Sequence, residues 1–137
     1  MSDPLLILEQ SEALKHIEGV PLLAPYPPFG YIWVVEYHFI GSKELEGFDE
    51  VDFFIPAYFV SDGASIPRSC WSLLGATPFD PRLIKAAGVH DYLLATGLGD
   101  KETADKLFYA LLLKAGVDKT TASLMYEAVD RFGRGNY

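Results

Sequence analysis

The hydrophobic period of this chain changes once, near Val60, and that change decides what it can fold into. Before it, apolar and aromatic residues alternate as in strands. After it, they recur at three and four residues as in helices. Strands followed by helices imply an α+β fold, an antiparallel sheet from the first half packed against three to four C-terminal helices. At 137 residues, half of them hydrophobic, the chain is long enough for one core. We therefore expect a single domain over 1–137, with 1–61 mainly strands and an acidic loop and 62–137 mainly helices.

Pro4–Glu9 reads as a first strand, and Pro21–Pro28, with four prolines, as an extended connector. Tyr31–Ile40 is the clearest strand, apolar on both faces and so placed centrally. Val51–Val60 is the next, with Pro56 marking an edge or bulge. The acidic segment Gly41–Glu50 between them reads as a solvated loop joining antiparallel neighbours, since it lacks the spaced oxygen donors and glycine of a calcium loop.

The helical half carries stronger punctuation. Ser65 can cap a short helix from Ile66-Pro67 to about Leu74. Asp80-Pro81 starts a second, running to about Thr96. Asp100 caps a third, whose stripe Ala104, Leu107, Phe108, Leu111, Ala115 stops at Gly116. Asp118 opens a fourth, with Ala122, Met125, Tyr126 and Val129 inside, ending at Gly133.

Charge excludes one class of partner. Residues 1–61 hold ten acidic side chains against Lys15 and Lys43, whereas 62–137 hold nine of each sign. A chain that tracks phosphates needs a basic stripe, so nucleic-acid binding is not expected. No apolar run approaches the ~20 residues of a membrane span. Met1–Gln10 lacks the basic start of a secretory signal, and the lone Cys70 cannot form an internal disulfide. These features point to synthesis in a cytoplasm.

The candidate chemistry rests on polar residues set among apolar ones. His90 and Asp91 lie within Pro81–Thr96, and Asp105 lies one turn into the next helix. With the turn near Leu98, His90 is eight residues back and Asp105 seven forward. At ~1.5 Å per residue the two sit at nearly equal depth in a helical hairpin. A carboxylate can hold an imidazole in one tautomer, so that its other nitrogen acts as a base on water. Alternatively, His90, Asp105 and a third carboxylate, Asp62, can hold a divalent metal that activates water. The structural reading is an interhelical hydrogen bond between His90 and Asp105, with Asp91 facing water.

Asp62-Gly63-Ala64-Ser65-Ile66-Pro67-Arg68 places a carboxylate, a hydroxyl and a guanidinium where strand gives way to helix. Such a junction exposes N–H groups that bind anions, with Ser65 and Arg68 as binding candidates. Ser65 lacks the glycine-flanked elbow of a hydrolase nucleophile, and capping accounts for it. Glu36 and His38 share a strand face without further ligand chemistry, and Cys70 reads as a core residue.

Asp62–Arg68 with Trp71-Ser72, His90-Asp91-Tyr92, Ala104-Asp105-Lys106-Leu107-Phe108 and the ending Met125-Tyr126 to Arg131-Phe132-Gly133-Arg134-Gly135 resemble, in that order, an uncharacterised family. It is a domain-of-unknown-function family of small proteins encoded by tailed phages and prophages, matched here from about residue 50 to the end. The resemblance implies a viral protein of the virion or of infection. It marks Asp62, Ser65, Arg68, His90, Asp91 and Asp105 as site candidates.

Two functions follow. In one, the chain is a small hydrolase. His90 is base or metal ligand, Asp105 and Asp62 are its carboxylate partners, and Asp91 is a ring orienter or second ligand. The substrate is then a cell-wall, lipid or nucleotide-derived molecule. In the other it is a non-catalytic tail, baseplate or neck component, or an infection accessory. The polar set then fixes helix packing, while the aromatic strands and acidic loop meet a protein partner.

Overall fold

The computed structural model describes residues 21–26, 30–61 and 81–132. The expected strand Pro4–Glu9, the helix from Ile66 to Leu74, the cap Asp80 and the ending at Gly133 lie outside them. The chain divides into two compact units, Met1–Val60 and Ser61–Tyr137, at the point where the hydrophobic period changes. Antiparallel strands in the first half and helices in the second make the fold α+β.

The strands are β1 (Leu23–Tyr26), β2 (Gly30–Trp33), β3 (Tyr37–Ile40), β4 (Asp52–Ile55) and β5 (Val60–Ser61). They form one sheet of order β1-β2-β5 and a second of β3 and β4. The single strand expected over Tyr31–Ile40 is therefore two, belonging to different sheets. Burial explains the break. Ile32, Trp33 and Val34 are consecutive and all buried, whereas Glu36 is exposed, which is not the period of two of a half-buried strand. Val34 N still donates to Leu22 O at 2.9 Å, extending the β1 pairing, before the chain bends and restarts at Tyr37.

β3 and β4 are antiparallel neighbours, as their sequences suggest, with Tyr37 opposite Ile55 and Phe39 opposite Phe53. These four side chains are buried, and the Phe39 and Phe53 rings stack at 5.1 Å. His38 and Phe54, between them, point outward. β4 stops before Pro56, which has no N–H for a ladder. The chain then turns through Tyr58, whose φ of 71° is unusual for a residue with a side chain. Tyr58 N donates to Trp33 O, and Trp33 N donates to Phe59 O.

The acidic connection is more ordered than a solvated loop. It opens with one helical turn, α1 (Gly41–Glu44), and Glu44 is buried, accepting a 2.5 Å hydrogen bond from the Tyr37 hydroxyl. Glu46, Asp49 and Glu50 are exposed, as expected. Burial, reinforced by the hydrogen bond and charge of Glu44, pushes the Tyr37 phenol far above its ordinary value. Gly41 closes the turn. A Cβ there would fall 1.9 Å from Phe48 O, so only glycine fits.

In the second unit the described helices are α2 (Pro81–Thr96), α3 (Lys101–Lys114) and α4 (Lys119–Phe132). α2 packs on α3, and α3 on α4. Asp100 caps α3 by accepting from Thr103 N at 2.7 Å, and Asp118 accepts from Thr121 N at 3.0 Å at the start of α4. α3 ends at Gly116, whose φ is 96°. Gly116 N donates to Leu113 O and Val117 N to Leu112 O, with Leu112 and Val117 both buried. That is the bonding of a Schellman cap. Ala104, Leu107, Phe108 and Leu111 are buried as the stripe predicts, but Ala115 is exposed because the cap turns the chain outward there. Ala122, Met125 and Val129 are buried, and Tyr126 is half-buried.

Candidate functional site

The hairpin of α2 and α3 turns through Gly97–Asp100, where Gly97 and Gly99 take positive φ values of 67° and 68°. This short connection brings His90 and Asp105 to the same depth. His90 Nε2 lies 2.8 Å from Asp105 Oδ1, and both side chains are closed to solvent at 0% and 1% exposure. Phe108, one turn beyond Asp105, packs its ring 4.9 Å from the imidazole.

The second carboxylate oxygen is also engaged. Lys101 Nζ donates to Asp105 Oδ2 at 2.6 Å, and to the carbonyls of Val129 and Asp130 at 3.1 Å each. One network thus ties α2, α3 and the last turn of α4. The ammonium also meets the negative end of the α4 dipole. Burial alone pushes the Asp105 carboxyl up. Hydrogen bonds and charge from His90 and Lys101 outweigh that, leaving it below its ordinary value. Asp105 is therefore an ionised acceptor, and His90 Nε2 must carry the proton and donate.

What remains is Nδ1 of His90. It is buried and has no hydrogen-bond partner, the one such side-chain nitrogen or oxygen among the described residues. A buried polar atom left unpaired costs about 1–3 kcal/mol, and such an atom in a folded protein calls for a reason. In the neutral ring it is a bare lone pair, held in place by Asp105.

Asp91, next to His90, is half-buried and points ~100° round the helix from it. Asp62, Ser65 and Arg68 lie outside the described residues, so the structure brings together His90 and Asp105 from the expected set. Among the described residues no three His, Cys, Asp or Glu side chains gather to hold a metal ion. Both Asp105 oxygens already accept hydrogen bonds, and an ammonium on one of them opposes a dication there. Of this pair, His90 Nδ1 is the atom without a hydrogen-bond partner.

Two relationships go beyond what the sequence spacing predicts. Lys101 belongs to the network, and its signal was the four-residue step to Asp105, which puts both on one helix face. His38 also has a carboxylate neighbour. Its Nε2 lies 2.5 Å from Asp52 Oδ1, and its ring stacks on Phe54 at 4.0 Å. This second pair is open to solvent, where a polar side-chain contact contributes little.

The chain is 38% identical over 72 residues to the uncharacterized protein y4jT of Sinorhizobium fredii (strain NBRC 101917 / NGR234). It is 33% identical over 73 residues to the uncharacterized protein y4iH of the same organism. Each match covers 53% of this chain, but 21% of y4jT and 30% of y4iH, so it spans less than a third of these relatives. No solved structure matches the chain. The profile of DUF1353, a family of proteins of unknown function, matches residues 37–129, from the start of β3 to the last turn of α4 and across both His90 and Asp105, and the chain belongs to that family.

Proposed function

We propose that the chain is a small hydrolase in which His90 Nδ1 is the general base. Asp105 acts as the positioning residue that fixes the reactive tautomer. Nδ1 takes a proton from water as the water oxygen bonds to an acyl carbon or phosphorus. The imidazolium then returns that proton to the leaving oxygen or nitrogen as its bond to the same atom breaks. The observation that carries this reading is the unpartnered Nδ1, in a network where Asp105 and Lys101 each hold two or more partners. Asp62, Ser65 and Arg68 are proposed to contribute carboxylate and anion-binding groups, and Asp91 to orient the ring. A divalent ion on Nδ1 and Asp62 is the metal-assisted form of the same chemistry. Cell-wall, lipid and nucleotide-derived molecules are the proposed substrate classes.

The source is proposed to be a tailed phage or prophage, supported by the ordered motifs from Asp62 to Gly135. The protein would be made in the host cytoplasm and act in infection or in the particle. A protein partner is supported by exposed Phe54 and Tyr58 in a unit that also exposes Glu46, Asp49 and Glu50.

One observation favours the non-catalytic virion or accessory reading. Lys101 links the His90–Asp105 pair to the last carbonyls of α4, as a packing network would. Hydrolysis of a panel of ester, amide and phosphodiester substrates, with and without divalent ions, decides between them. General-base catalysis predicts turnover that falls ~10²–10⁴-fold in a folded His90→Gln variant. Turnover unchanged in that variant, or none by the parent on any substrate, overturns the enzymatic reading.

A further inference from the structure

We infer that Lys101 is a positioning residue that keeps His90 Nδ1 a bare acceptor, through its contact with Asp105 and its anchorage on α4. The inference deepens the proposed role of His90 and rests on it. It starts from a charge count around a buried carboxylate. Asp105 is ionised and fully buried, with one oxygen on His90 and the other on Lys101. With Lys101 charged, a neutral imidazole leaves the trio at zero net charge, while an imidazolium would leave it at +1 around a carboxylate and a ring that are both buried. Without Lys101 the preference reverses. Asp105 alone would carry −1, and a proton on His90 would cancel it.

The groups around the ring support this count. On α2 the neighbouring charge is Asp91, turned ~100° away. On α3 it is Asp105, and through it Lys101. From α4 the Val129 and Asp130 carbonyls accept hydrogen bonds from Lys101 itself. Each of the three Lys101 ammonium protons has an acceptor, namely Asp105 Oδ2, Val129 O and Asp130 O, so its position is fixed from two helices. A shift of the α4 terminus would therefore be felt at Asp105, and through Asp105 at the imidazole.

The test is the protonation pattern of the His90 ring at pH 7, read from ¹⁵N resonances of the full chain and assigned by their loss in His90→Gln. The parent is expected to show a protonated Nε2 and a bare Nδ1. In Lys101→Met, Nδ1 moves to the protonated region, and in Lys101→Arg it returns to the parent position. If Lys101→Met does not fold, Lys101→Gln, which keeps donors but not the charge, is expected to move Nδ1 the same way. A protonated Nδ1 in the parent, or an unchanged ring in folded Lys101→Met or Lys101→Gln, overturns the inference. Packing alone would not move the ring's proton. A bare Nδ1 that responds to Lys101 in a protein without hydrolytic activity overturns the enzymatic reading and leaves this one standing.

Discussion

Asp105 meets His90 with one oxygen and Lys101 with the other, so the two neighbours of one buried carboxylate are not equivalent. Lys101 keeps a route to solvent and two further acceptors, whereas His90 is sealed in with an unpaired nitrogen. The consequences are separable by substitution and by pH.

Asp105 makes this network sensitive to strong acid. Its folded-state carboxyl lies below the ordinary value because His90 and Lys101 outweigh the burial that pushes it up. The unfolded chain therefore binds more protons than the folded one in that range. The contribution is present above about pH 4, the unfolded value, and is lost as pH falls through the folded one. The stability gap between parent and Asp105→Asn, from urea unfolding at several pH values, is expected to narrow on acidification. A gap independent of pH would contradict the assignment.

Tyr37 and Glu44 make the corresponding pair in the strand unit. Tyr37→Phe removes the hydroxyl donor from a buried carboxylate and is expected to cost about 1–3 kcal/mol in urea unfolding. The Tyr37 phenol is raised, so its contribution is complete below about pH 10, its unfolded value, and fades as pH climbs toward the folded one. Spectroscopic titration should find Tyr37 among the tyrosines that resist ionisation while the fold persists, and Tyr37→Phe should lower their number by one.

Gly41 offers a steric test of the α1 turn. A Cβ at Gly41 meets backbone oxygen at 1.9 Å, whereas Gly47, at φ 88°, has open space. Gly41→Ala must displace main chain and is expected to cost at least about 1–3 kcal/mol. Gly47→Ala meets only the conformational penalty, about 1–2 kcal/mol. Thermal or urea denaturation of both variants checks the order.

The helices were legible because their signals are local. Pro81 opening α2, Asp100 capping α3 and the Gly116 stop act within one turn of chain. The break between β2 and β3 was not, because alternation continues through Val34–Glu36 and only tertiary burial of Ile32, Trp33 and Val34 imposes the bend. Glu44 looked like one more loop carboxylate, since its partner Tyr37 sits on another element. Asp52 is not legible as a partner of His38 because strand register, not spacing, joins them. The His90–Asp105 approach was readable because a short hairpin converts residue counts into depth. Lys101 lies on the same helix face as Asp105, a four-residue step common on solvated helices and so a weak signal by itself.

Urea unfolding of His90→Leu beside Asp105→Ala tests the central claim, that His90 is held by Asp105 with its other nitrogen left unpaired for use. Asp105→Ala strands both partners and is expected to lose ~2–4 kcal/mol. His90→Leu leaves Asp105 Oδ1 without its donor but also removes the unpaired Nδ1, and Asp105 keeps Lys101; the two unpaired atoms offset, so a loss under ~1 kcal/mol, or a gain, is expected. Equal large losses in both variants would contradict the account and leave a buried pair that serves only to hold α2 on α3.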